Sequence, residues 1–173
     1  MSEFTAKQVI KHMNQRVPRL TAVLDEVLAI LHDNLPAVLE ELGLPAIRAW
    51  DYAGGELDPA RSPAILVGAS ARAIEQGIYY ADDIHLLVTV CYPPRVTRRQ
   101  LQDAVDIAQA VRGVLQMPQV VGPRRKDGTV LWNWLLPAGY NVVPPSFPYY
   151  SGYIAEFVLR QAPPTNLWGA TED

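Results

Sequence analysis

The chain has 173 residues, 49 % of them apolar and 19 % charged. That length suits one domain, and that mix buries a core and excludes a disordered chain. Fifteen Lys and Arg against 18 Asp and Glu give a net charge of −3, without the basic excess of a dedicated nucleic-acid binder.

One cysteine, Cys91, rules out an intrachain disulfide and a Cys-based zinc site. Fifteen prolines against 11 glycines promise stiff turns and extended segments. Residues 1–19 are mixed and polar, without the apolar run of a secretory signal. Synthesis and folding in a reducing cytoplasm, with no membrane span, are the expectation. Charge is uneven along the chain. Residues 1–60 carry five basic and nine acidic groups, and residues 61–173 carry ten and nine.

Residues 5–16 read as a weak helix, interrupted at Val17-Pro18. From Leu20 the apolar positions Leu20, Val23, Leu24, Val27, Leu28 and Leu31 recur at steps of three and four, a helix with one buried face. Asp25, Glu26, His32 and Asp33 fall mostly on the other side. Asn34-Leu35-Pro36 predicts a break or kink, Leu35 to Leu42 continues the pattern, and Gly43 stops it. Residues 44–62 read as a connection.

Ala64–Gly68 is a short apolar strand, followed by a loop through residues 70–77. Asp83–Tyr92 is the clearest strand, with Ile84, Leu86, Val88 and Val90 on one face. His85, Leu87, Thr89 and Cys91 form the other. Both faces are largely apolar, so the strand is central. Thr97-Arg98-Arg99-Gln100 fits a capping box, with Val96 and Leu101 as a hydrophobic staple. The helix then runs to about Gln116, and Pro118 stops it.

Val120-Val121 is read as the start of a strand leading into Arg124-Arg125-Lys126. Asp127-Gly128 is a two-residue hairpin turn. On the returning strand Val130, Trp132 and Trp134 are placed on one face. Pro137-Ala138-Gly139 is read as a further turn and residues 140–143 as an extended piece. Residues 149–161 form the last strand and 162–173 a tail. Together the elements predict an α+β fold in a single domain over 1–173. A helical N-terminal region spans 1–43, and a mostly antiparallel sheet with a capped helix spans 62–161.

Chemistry-bearing motifs are sparse. There is no glycine-rich phosphate loop and no HExxH. Asp82, Asp83 and His85 are the one candidate metal set, with Asp83 and His85 sharing a strand face. Asp82-Asp83 also reads as a solvated strand entrance. Cys91 reads as a small packed residue, and His12 and His32 as solvated. Arg95, Arg98 and Arg99 cluster at a helix N-terminus, where positive charge opposes the macrodipole. That arrangement suits an acidic or phosphate partner, or a solvated turn. Arg124, Arg125 and Lys126 read as a projecting basic hairpin tip. Trp132 and Trp134, with Phe147, Tyr149 and Tyr150 in the proline-rich PPSFPYY segment, are candidate interface aromatics.

An amphipathic helix, a short apolar strand, the alternating DDIHLLVTVCY, the capped VTRRQLQDAVDIAQAVRGVL, a basic hairpin and the closing GYIAEFVLRQ follow one another in that order. Over residues 20–161 this order resembles the tail terminator and neck completion proteins of long-tailed bacteriophages. The resemblance lies in pattern and order, not in a catalytic motif. It implies a non-enzymatic virion protein, assembled in the host cytoplasm, with no cofactor. It also implies a ring, commonly hexameric, that contacts the tail tube and sheath or connector proteins and meets DNA only as it passes through the channel. Two other readings stand beside it: a small-ligand-binding domain using Trp132, Trp134 and Tyr153, and a metal enzyme using Asp82, Asp83 and His85.

Overall fold

A computed structural model of the chain describes residues 5–16, 20–54, 58–76, 79–93, 95–143 and 151–160. The expected helical start resolves into two helices, α1 (Ala6–Arg16) and α2 (Leu20–Glu41). Pro36 does not end α2. It sits on the exposed side, while Leu31, Leu35 and Leu39 stay buried on either side of it. Packing of that face outweighs the one backbone bond that proline removes. The stop at Gly43 is a Schellman end. Gly43 has φ +65°, its N–H donates to Glu40 O at 3.0 Å, and the Leu44 N–H donates to Leu39 O at 2.9 Å.

The connection after α2 contains a strand, β1 (Ala49–Tyr52), which runs parallel to β2 (Ala64–Gln76). The chain returns between them through a 3-10 turn at Pro59–Arg61. Residues 70–76 are not a loop. β2 continues through them, paired antiparallel with β3 (Tyr79–Tyr92) from Ala64↔Cys91 to Gln76↔Tyr79. Their extended form comes from this ladder partner, which no local pattern announces.

The capping box closes as read. The Gln100 N–H donates to Thr97 Oγ1 at 3.2 Å, and the Thr97 N–H donates to Gln100 Oε1 at 2.9 Å, opening α3 (Arg98–Leu115). Val120-Val121 belongs to a helical turn, α4 (Pro118–Val121), and not to a strand. Pro118 preorganises its first position. The Trp132 indole N–H then donates to Val120 O at 2.9 Å and ties the turn down. The hairpin follows as β4 (Arg124–Lys126) and β5 (Thr129–Trp132), a separate two-stranded ribbon. Asp127 and Gly128, at φ 51° and 77°, make its turn.

β6 (Trp134–Val143) passes straight through Pro137 and Gly139, where a register shift against β7 (Ser151–Arg160) absorbs the proline. The expected turn there is an irregularity inside an edge strand. The main sheet has the order β1-β2-β3-β7-β6, antiparallel except at the β1 edge. α2 and α3 share one core with Ile65, Val67, Ile84, Leu86, Val88, Val90, Phe157 and Leu159, so both helices cover the same sheet face. The opposite face keeps a small cluster of Ala49, Ala64, Leu66 and Cys91.

Candidate interaction surfaces

Alternation along β6 decides what its residues do. Leu135 is buried in the helix-covered core, so Trp134 and Leu136 lie on the opposite face. Trp134 is 52 % exposed and Leu136 40 %. Leu136 pairs with Val158, and Val158 with His85, so the strip continues across β7 onto β3. There Leu87, two residues past His85, is 38 % exposed. The outer sheet face therefore presents Trp134, Leu136, Val158 and Leu87 together.

Trp132 does not belong to this surface. A break at Asn133 separates β5 from β6, and Trp132 is fully buried against α4. The two tryptophans do not share a face, and Trp132 is a core residue, not an interface one. A ligand pocket walled by both of them does not form.

The basic hairpin is also not the free tip that its charge suggests. Glu26, expected on the solvent side of α2, is buried. Its Oε1 accepts from Arg124 Nε at 2.7 Å and lies 2.5 Å from Arg124 Nη2, while Oε2 lies 3.3 Å from Lys126 Nζ. Arg124 and Lys126 occupy alternate positions of β4 and so reach the same carboxylate. A buried charge requires such partners. Arg125, between them, is exposed.

At the start of α3, Arg95 and Arg98 are exposed. Arg99 donates from Nε to Asp103 Oδ1 at 3.2 Å, one turn on. That local pair offsets part of the unfavourable charge at the helix start. Phe147, Tyr149 and Tyr150 lie outside the described residues. So do the side chains of Asp82, Asp83, Tyr153 and His12; Asp82 and Asp83 sit on β3, three and two residues before the exposed His85. Among the described residues, no three His, Cys, Asp or Glu side chains gather as a metal set.

Cys91 is buried, and burial pushes its thiol from 9.0 to about 12. The thiolate needed for nucleophilic chemistry is thereby suppressed. Tyr52 is raised to about 12, chiefly because its hydroxyl donates to Asp25 and also through burial. Tyr92 is raised to about 12 by burial first and then by the nearby Asp103 charge. His32 is exposed, with its ring edge-on to Trp50 at 5.4 Å.

Two further features escape sequence reading. β2 and β3 stay paired from Ala73↔Asp82 to Gln76↔Tyr79, past Asp83↔Arg160, where β3 parts from β7. Among the described residues, the sheet there consists of these two strands alone. The second feature is a cleft of about 360 Å³ between α2 and α3, lined by Ile30, Asn34 and Val38 on one side and Ala110, Gly113 and Val114 on the other.

No protein-family model matches the chain, and a search of curated proteins gives no match. Among the described residues, no helix is long and apolar enough to cross a membrane.

Proposed function

We propose that the chain is a structural virion protein that forms a ring at the tail end or neck of a long-tailed bacteriophage. It terminates the tail tube and joins it to the head. The observation that carries this reading is the outer sheet face, where Trp134, Leu136 and Leu87 stand exposed on one side of a sheet whose other side is already filled by helices. A subunit interface buries such a band of large apolar side chains against the next copy. The order of elements from α2 to β7 supports the same reading. Arg95, Arg98 and Arg125 are exposed cations suited to an acidic neighbouring surface.

The test is electron microscopy of the purified protein, alone and mixed with tail tubes lacking a terminator, beside light scattering of the same sample. Closed rings that cap tube ends support the proposal. A protein that stays monomeric and leaves tube ends bare rejects it. Leu136→Glu, on an exposed position, is expected to lose rings and keep the fold.

A further inference from the structure

α1 is a helix without a home. Every described side chain on it, from Ala6 to Lys11, is exposed, including Val9 and Ile10 at 46 % each. An isolated helix of 11 residues is marginal in water, and its stability comes from packing its apolar face. Its sequence, AKQVIKHMNQR, has such a face: Ala6, Val9, Ile10 and Met13 recur at the spacing of a helix that docks into a groove. It carries Lys7, Lys11 and Arg16 and no acidic residue, a net +3.

The molecule also has hollows along α2 and α3 of matching overall length, acidic at the end near Leu42. The cleft between α2 and α3 spans Ile30 to Val38, with Arg124 also on its wall, and a second, separate hollow lies further along the same two helices at Leu42, Gly43, Gln102 and Asp106. Ile30 to Leu42 spans about 18 Å of helix axis, and α1 is about 16 Å long at 1.5 Å per residue. The floor is apolar and low: Ala110 and Gly113 leave room, and a Cβ built on Gly113 meets no atom within 4 Å. At the end of α2 and the start of α3 stand Glu40, Glu41, Asp103 and Asp106 against Arg98 and Arg99, a net −2.

The chain's own α1 does not reach this groove. Residues 17–19 are too few for a long return, so α1 folded back along α2 places Arg16 beside Leu20 and Ala6 about 15 Å further along, at the level of Ile30. It ends where the groove begins. We propose that the groove between α2 and α3 receives helix α1 from a second copy of this chain. Helix and groove are different patches of one surface, so the contact is head-to-tail, and such a contact builds a ring when its rotation closes and an open filament when it does not. The inference deepens the assembly reading by naming one contact. It does not depend on the virion assignment.

The test mixes two single-cysteine additions to the full chain, Ile10→Cys in one preparation and Gly113→Cys in another. Native Cys91 is buried and does not compete. The expected result under mild oxidation is a disulfide-linked dimer of the mixed chains, at several times the yield of either preparation alone. In parallel, light scattering compares the parent chain with Ile10→Glu and with Lys7→Glu/Lys11→Glu. Both variants replace exposed side chains, and both are expected to keep the melting temperature and lower the association constant at least tenfold. Association of the parent should weaken with added salt. A monomeric parent chain, unchanged association in Ile10→Glu, or no more disulfide-linked dimer in the mixture than in either preparation alone overturns the proposal. Rings that persist in Ile10→Glu reject this contact and leave the virion reading standing. Rings lost in Ile10→Glu, from a parent that never binds tail tubes, support the contact and reject the virion reading.

Discussion

Arg124 reaches across 98 residues of sequence to place its guanidinium 2.5 Å from Glu26 Oε1 on the buried side of α2. The pair bolts the β4–β5 hairpin to the helix layer, and Lys126 closes the other carboxylate oxygen at 3.3 Å. A hairpin that reads as a detachable basic tip is in this way part of the fold.

Arg124→Ala should therefore destabilise the protein by about 2 kcal/mol, because it leaves a buried carboxylate with Lys126 alone. Arg125→Ala, at the exposed position between them, should stay within about 0.5 kcal/mol of the parent. Arg124→Glu should cost more than Arg124→Ala, since it sets two carboxylates against each other. Urea denaturation of the three variants checks the order. Equal stability of the two alanine variants would mean that the Glu26 cluster does not hold in solution.

Thr97→Ala should cost about 1 kcal/mol through loss of the bond from the Gln100 N–H to Thr97 Oγ1. The denaturation midpoint should fall with an unchanged slope, because the surface exposed on unfolding stays the same. Thr97→Ser, which keeps the acceptor, should recover most of the loss.

Tyr92→Phe should hold or raise stability, by about 1 kcal/mol at most. The Tyr92 hydroxyl is buried and has no hydrogen-bond partner among the described residues, so its removal ends a desolvation cost. A clear drop in the melting temperature would show that the hydroxyl is satisfied in solution, by an ordered water for instance.

Stability should fall in alkali. Cys91, Tyr52 and Tyr92 all sit near 12 in the fold, above their ordinary 9.0 and 10.0. Each holds its proton more tightly folded than unfolded, so the stabilisation is complete below about pH 9 and is lost as pH rises toward 12. Equilibrium unfolding between pH 8 and 11.5 checks the sign. Cys91→Ala should flatten the first part of the decline. In the same range the folded parent should resist thiol alkylation and react only on denaturation.

What the amino-acid sequence determined by itself is local. The apolar steps from Leu20 to Leu31, the Thr97–Gln100 capping box, the alternation of Ile84, Leu86, Val88 and Val90, and the Asp127-Gly128 turn each depend on residues within a few positions of one another. Helix periodicity, capping and left-handed turn residues act over that range, so the α+β class was legible. Tertiary structure decided everything that needed a distant partner. Residues 70–76 became strand because β3 lies alongside, and 49–52 because β2 does. Val120-Val121 turned helical beneath an indole 12 residues away. The two tryptophans parted because the chain breaks at Asn133, which moves Trp134 into a different ladder from Trp132. Glu26 became a buried anchor only once the hairpin delivered two cations to it. A carboxylate's burial is set by what packs over it, and periodicity on one helix carries no information about a charge that arrives 98 residues later.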